Sequence, residues 1–240
     1  MPPRVLIIGF GLMGGSAGRA LHARGWHVSF VDDAVPSSDY AEKLDAPRDE
    51  EMVLLATHLD VAVKLLPALR TSGVITSLCS LMKPLRDVGP SNFIAGHPMA
   101  GSHLSGNVNA TATLYEGKTW FVESHDERVE QLIRDCGATS RIVDAETHDA
   151  AMALTSQLPQ VLSTALAAYL HDKNLGDFAG AGLRDFLRLA EMSHDMWGPI
   201  LAENRETLGP HVEGVAAILR EMIEGDPRDA FAKANALFRR

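Results

Sequence analysis

Val5-Leu6-Ile7-Ile8 is an unbroken β-prone apolar run, and Gly9-Phe10-Gly11-Leu12-Met13-Gly14 follows it directly. No other feature constrains the fold as strongly. A continuous apolar run of this kind suits a strand buried on both faces, as in parallel sheets covered by helices. Residues 12–24 then read as a helix, with Gly25 as its C′ stop. Residues 27–32 read as a second strand, ending on Asp32. The pattern is a βαβ unit with G-x-G-x-x-G at its first turn and an acid about 20 residues further on. Gly9 permits the tight turn, Gly11 lets the backbone approach a pyrophosphate, and Gly14 allows close helix–strand packing. The helix N-terminus offers free N–H groups and a positive dipole end to phosphates.

The reading is therefore a dinucleotide site. Gly9, Phe10, Gly11, Leu12, Met13 and Gly14 form its cradle, Asp32 accepts from the adenosine ribose hydroxyls, and Thr57 closes the strand candidate at 52–57. The bland alternative is a tight turn with no ligand. Asp33 follows Asp32, and two acids repel a 2′-phosphate, so NAD is expected over NADP. Asp33 reads equally well as a solvated turn residue.

The chain has 240 residues, between one large domain and two modest ones at roughly 100–200 residues each. With 46% hydrophobic and 22% charged residues, either half can bury a core without disulfides or structural metals. The net charge of −9 argues against non-specific binding to nucleic acid or anionic membranes. It leaves room for an anionic substrate where local charge is positive. Cys79 and Cys136 form neither a disulfide framework nor a CxxC motif, which fits a reducing, cytoplasmic setting. The first apolar run is too short for a signal-peptide core, and no segment reaches the roughly 20 apolar residues of a membrane span.

After Asp32 the chain is terse. About 20 residues, with Pro36 and Pro47 among them, separate it from the strand candidate at 52–57. There is room for one short helix over 39–44 and little else. A reduced sheet edge or a missing helix beside the adenosine pocket is expected. Residues 61–69 read as a helix, 73–77, 121–123 and 141–143 as strands, and 127–136 as a helix ended by Gly137. From about 145 the strands disappear. Residues 151–170, 183–192, 196–208, 212–224 and 229–240 are helical. The expected division is an α/β Rossmann-type dinucleotide domain over 1–144, shortened after its second strand, and an all-α domain over 145–240.

Three further segments sharpen the reading: Thr76-Ser77-Leu78-Cys79-Ser80; Gly96-His97-Pro98-Met99-Ala100-Gly101-Ser102, running on to Leu114-Tyr115-Glu116-Gly117-Lys118-Thr119-Trp120; and Gly182-Leu183-Arg184-Asp185-Phe186-Leu187-Arg188-Leu189-Ala190, followed by Met196-Trp197 and Glu203-Asn204. With the opening GFGLMGGS, the chain resembles the prephenate/arogenate (cyclohexadienyl) dehydrogenase family over nearly its whole length. The resemblance implies NAD-dependent oxidative decarboxylation of a small cyclohexadienyl substrate in tyrosine biosynthesis, by a homodimer paired through the helical domain. Prephenate would give 4-hydroxyphenylpyruvate and arogenate would give tyrosine.

On that resemblance His97 is the catalytic histidine, and a neutral imidazole suits removal of a hydroxyl proton. Ser80 matches the serine that hydrogen-bonds around it, and reads equally as a cap or turn residue. Arg188 matches the arginine that binds a substrate carboxylate, which a guanidinium does through two parallel hydrogen bonds. Its plain alternative is an ion pair with Asp185 or Glu191. Arg184 is a second anion contact or part of a solvated face. Ser102, Gln157 and Gln160 complete the implied substrate set.

Several positions depart from the family pattern. Ser77 stands where an acid is usual, Met82 where a lysine is usual, and His103 where a glutamate is common. Ser156-Gln157-Leu158-Pro159-Gln160 replaces S-H-L-P-H, so two titratable rings become amides that carry no charge. That loss disfavours the more anionic prephenate and predicts tolerance of, or preference for, arogenate. Two other functions stay open at this point: a related NAD(P) oxidoreductase acting on another small acid, and a nucleotide-binding homologue without turnover.

Overall fold

Alternate side chains of a strand point to opposite faces, and both faces of the first strand are dry. In β1 (Arg4–Ile8) Val5 and Ile7 enter one apolar cluster, Leu6 and Ile8 another, and all four are buried. The computed structural model describes residues 2–102, 104–175, 178–237 and 239. It divides into two compact units, Met1–Met152 with Glu191–Glu203, and Ala153–Ala190 with Asn204–Arg240.

In the first unit, β1 is followed by α1 (Leu12–Ala23), β2 (His27–Val31), β3 (Glu42–Lys43), β4 (Met52–Leu55), α2 (Leu59–Leu65), β5 (Val74–Ser77), α3 (Lys83–Val88) and β6 (Phe93–Ile94). These six strands form one parallel sheet in the order β3-β2-β1-β4-β5-β6. The order reverses between β1 and β4. That switch point leaves a crevice at the carboxyl ends of the two strands, where open α/β sheets bind ligands. A second sheet follows, made of β7 (Gly96–Pro98), β8 (Thr119–Val122) and β9 (Thr139–Ile142), with α4 (Glu127–Asp135) between the last two. Next come α5 (Ala145–Met152) and, later in sequence, α8 (His194–Glu203), which packs on α2.

The expected helix over 39–44 is absent. In its place lies the two-residue edge strand β3, paired with β2 at Ser29↔Glu42 and Phe30↔Lys43. Burial of Tyr40 accounts for this. Its ring lies 5.5 Å from Phe10, and the Arg19 guanidinium covers it at 4.4 Å. Meanwhile Leu44 N–H donates to the Phe30 carbonyl at 2.8 Å. Core packing and ladder bonds outweigh a short helix with no apolar stripe. The edge beside Asp32 is thus reduced to one minimal strand.

The first unit runs eight residues beyond the expected division at 144 and takes back α8. Ala145 is fully buried in a cluster with Met82 and Ala95, which ties α5 to the first unit.

The second unit is helical: α6 (Leu158–Leu170), α7 (Ala181–Leu187), α9 (Arg205–Glu224) and α10 (Arg228–Leu237). The expected continuous helix over 151–170 is interrupted by a π-helical turn, Ala153–Gln157, before α6. Pro159 in the first turn of α6 has no N–H to give the preceding turn, and wide turns of this kind accommodate that loss. The two helices expected over 196–208 and 212–224 divide instead at Asn204, and α9 carries Pro210 within it. No helix among the described residues is long and apolar enough to cross a membrane.

Candidate active site

Gly9 adopts φ +91°, open to glycine at little cost. A Cβ there would stand 2.8 Å from the Ala56 carbonyl carbon and 2.9 Å from Thr57 Cγ2. A Cβ on Gly14 would stand 2.0 Å from the Gly9 carbonyl oxygen. Gly11 differs, because a Cβ there would meet nothing within 4 Å among the described residues. Gly11 is also the N-cap of α1, and no side chain caps that helix. The turn is thus crowded at Gly9 and Gly14 and open at Gly11, as a backbone that receives a phosphate must be.

Phe10 contributes backbone only. Its ring is buried and stacked on Phe30 at 4.1 Å. Its N–H donates to Asp32 Oδ2 at 2.6 Å, while Asp32 Oδ1 accepts from Ala34 N–H at 2.8 Å and Val35 N–H at 2.9 Å. The Asp32 carboxylate therefore locks the glycine turn to the end of β2. Leu12 and Met13 form the first turn of α1, and the Met13 carbonyl accepts from Tyr115 Oη at 2.7 Å. Thr57 lies just past β4, with Cys79 Sγ 3.6 Å from its carbonyl oxygen. Burial pushes the Cys79 thiol up to about 12, so it stays protonated and inert near neutral pH.

His97 sits on β7, opposite Phe121 of β8. Ser77, at the end of β5, fixes the residue before it: Oγ donates to the Gly96 carbonyl at 3.0 Å and accepts from Gly96 N–H at 3.3 Å. A hydroxyl thus replaces the expected acid as a direct clasp between the two sheets. The His97 ring keeps an opening to solvent, but its depth in the protein, with the His148 imidazole second, pushes its pKa down to about 3. It is a neutral base near pH 7. His97 Nδ1 lies 3.0 Å from His148 Nε2, and His148 Nδ1 lies 2.7 Å from Asp149 Oδ1. Asp149 in turn accepts from the backbone N–H of Met82 and Lys83, both at 2.9 Å. Met82, in the usual lysine's place, is buried and serves through its amide. Lys83 pairs with Asp87 on the surface.

The other expected residues are placed as follows. Ser80 is half-buried three residues past β5, and no hydrogen bond joins it to His97 among the described residues. Ser102 Oγ accepts from Leu104 N–H at 3.1 Å. His103 lies outside the described residues. In the helical unit Arg188 is exposed and forms no ion pair with Asp185 or Glu191 among the described residues. Arg184 spends Nε and Nη2 on the Ala179 carbonyl, at 3.0 and 2.8 Å, which favours a structural role over an anion contact. Gln157 Oε1 accepts from Asn204 Nδ2 at 2.9 Å, and Gln160 Nε2 donates to the Leu189 carbonyl at 2.8 Å. Both glutamines are buried. Trp197 packs on the second core cluster of the first unit.

Sequence reasoning missed His148 and Asp149, whose only trace is a polar pair in the alanine-rich run of α5. It also missed Asn107, which donates to the Phe10 carbonyl at 2.9 Å from 97 positions away and so buttresses the glycine turn.

Comparison with known proteins fits this geometry. A family model described as prephenate dehydrogenase, nucleotide-binding domain, matches residues 24–140, and one described as prephenate dehydrogenase, dimerization domain, matches residues 144–234. The first match begins past the glycine turn, so the turn stands on its geometry. The prephenate dehydrogenase of Lactococcus lactis subsp. cremoris is 26% identical, over 91% of this chain and 70% of its own length. The cyclohexadienyl dehydrogenase of Zymomonas mobilis is 27% identical, over 91% of this chain and 86% of its own. The crystal structure of prephenate dehydrogenase from Aquifex aeolicus, in complex with hydroxyphenyl propionate and NAD+, superposes with a TM-score of 0.83 at 25% identity, covering 100% of this chain and 96% of that one.

Proposed function

This chain belongs to the prephenate dehydrogenase family, and on that premise we propose that it oxidatively decarboxylates prephenate or arogenate with NAD+. One observation supports the reading above the rest: a neutral, deeply set His97 and an open, uncapped glycine turn occupy the same Rossmann unit. The residues fit the cofactor. Gly9, Gly11 and Gly14 with the first turn of α1 would hold its pyrophosphate, and Asp32 its ribose, with Asp33 disfavouring a 2′-phosphate. When bound, NAD+ supplies the hydride acceptor.

His97 takes the hydroxyl proton as the carbinol carbon is oxidised to a ketone. The ring carboxylate then leaves as CO2, and its bonding electrons enter the ring to form a phenolate. His97 returns the proton to that oxygen. Arg188, whose guanidinium has no ion-pair partner among the described residues, holds a carboxylate of the substrate. Gln157 and Gln160 bring no titratable group to their segment, which supports acceptance of arogenate.

The same chain serves as half of a homodimer. In the helical unit Tyr169, Phe178, Ile223, Phe231 and Leu237 are more than half exposed, and its buried residues include Gln157, Gln160, Ser163 and Asn204. A helical unit with so little apolar interior needs a second copy to cover those faces. A cytoplasmic location accords with two free, buried cysteines.

Replacing His97 with alanine tests the reading. NAD+ binding by calorimetry stays within about threefold, while NADH formation falls by at least about 100-fold. Loss of NAD+ binding instead makes His97 structural and overturns its catalytic role.

A further inference from the structure

We propose that His148 and Asp149 form a proton relay behind His97, fixing it as the tautomer with a bare Nε2 and taking over its charge when it is protonated. The proposal rests on the reading of His97 as the base. It adds two residues that the sequence motifs do not mark.

The relay is anchored at the N-terminal end of α3. The Met82 N–H donates to Asp149 Oδ1 and the Lys83 N–H to Oδ2. Both carboxylate oxygens are thereby held as acceptors, and Oδ1 also faces His148 Nδ1 at 2.7 Å. An acceptor there requires the proton to sit on His148 Nδ1. A neutral imidazole carries one N–H, so His148 Nε2 is left with a lone pair. That lone pair lies 3.0 Å from His97 Nδ1, which must then be the donor. His97 in turn carries its single proton on Nδ1 and presents Nε2 unprotonated. Each assignment follows from the one before, and the whole series is anchored by two backbone amides.

Packing keeps the relay in place. His148 is 2% exposed and Asp149 5%. The two imidazoles meet nearly edge-on, at 89° with centroids 5.1 Å apart, and Phe121 packs against His148 at 5.5 Å. Arg86 of α3 donates to both Glu146 carboxylate oxygens at 2.7 Å, holding α5, and with it His148, against α3.

The proton count closes. The substrate hydroxyl proton reaches His97 Nε2. The Nδ1 proton of His97 passes to His148 Nε2, and the positive charge comes to rest on His148 beside the Asp149 carboxylate. The reverse transfer returns the proton to the product phenolate. A deeply set imidazolium on His97 is costly to form, and moving the charge one ring inward sets it next to its counter-ion. An aspartate–histidine pair does the same work with one imidazole in hydrolytic triads. Here a second imidazole extends the reach.

Nitrogen-15 NMR of the imidazoles in the free, full-length wild-type protein, assigned with single-histidine variants, reads the tautomers without substrate or cofactor. The expected result is both His97 and His148 protonated on Nδ1. A proton on Nε2 of His97 overturns the proposal. In kinetics, His148→Phe is expected to lower kcat at least about 100-fold while NAD+ binding stays within about threefold. His148→Gln, whose amide oxygen can accept from His97 Nδ1–H, is expected to recover part of the tautomer but not the charge transfer, giving an intermediate kcat. Retention of kcat within about threefold in His148→Phe also overturns the relay. If the wild type turns over neither prephenate nor arogenate, the reaction assignment fails, and the tautomer spectrum still decides the relay.

Discussion

Asp32 Oδ2 holds the Phe10 amide at 2.6 Å, so the acid proposed to meet the ribose also shapes the turn proposed to meet the phosphates. Asp32→Ala removes both functions. A hydrogen bond to a charged group contributes about 1.5–3 kcal/mol, so the NAD+ dissociation constant is expected to rise about 10- to 100-fold by calorimetry. NADP+ binding is not expected to improve, since Asp33 remains. A variant that gains NADP+ affinity contradicts this account of selectivity.

Gly14 and Gly11 separate packing from ligand approach. In Gly14→Ala the new methyl would stand 2.0 Å from the Gly9 carbonyl oxygen. Overpacking of this kind costs about 1–3 kcal/mol, and Tm falls along with NAD+ binding. In Gly11→Ala the methyl meets no atom of the described residues within 4 Å. Its Tm is expected to hold while NAD+ affinity drops at least about tenfold, because the methyl occupies the open side of the turn. Equal affinity in wild type and Gly11→Ala would place the pyrophosphate elsewhere.

Arg188 and Arg184 lie four positions apart with different occupations. Arg188→Ala is expected to raise KM for prephenate or arogenate at least about tenfold with Tm unchanged. Arg188→Lys recovers only part of the loss, because an ammonium lacks the planar fork. Arg184→Ala is expected to lower Tm, since its guanidinium bonds the Ala179 carbonyl. The opposite pattern would exchange their roles.

Acid stability tests the shortened edge. The Glu50 side chain is buried, with Arg4 Nε 2.9 Å from Oε2 and Arg48 Nε 2.6 Å from Oε1. The hydrogen bond from Arg4, then that from Arg48, outweighs burial and holds the carboxyl below its usual 4.5. A depressed folded-state pKa adds stability that is complete above the unfolded value and is lost as pH falls through the folded one. Glu50→Gln is therefore expected to lower Tm near neutral pH by several degrees. The gap to wild type closes as pH falls below about 4.5. A constant gap from neutral to strongly acidic pH would refute the linkage.

Much of the fold was legible because it is locally encoded. Val5–Ile8 buries both faces, and Gly14 closes on the Gly9 carbonyl within the same turn. What the sequence hid lies in long-range contacts. His97 and His148 are 51 positions apart, and Asn107 reaches Phe10 across 97. No spacing rule on one chain exposes such pairs. The helix expected over 39–44 failed for the same reason: Tyr40 is drawn into the core beside Phe10, and residues 42–43 find a ladder partner in β2. At the site, the motif singled out His97, whose role as the base is a proposal, whereas it left no trace of the bonds that Gln157 and Gln160 make within the helical unit.

The central claim is that His97 and the glycine turn serve one reaction. Its most direct test is NADH absorbance on mixing the protein with prephenate or arogenate, each with NAD+ and with NADP+. The account predicts NADH formed in step with CO2 and with 4-hydroxyphenylpyruvate or tyrosine, NADP+ at least about tenfold poorer, and arogenate accepted. Prephenate preferred by tenfold or more would sink the arogenate preference drawn from Gln157 and Gln160. No reduced cofactor with either substrate, in protein that binds NAD+, would contradict the central claim.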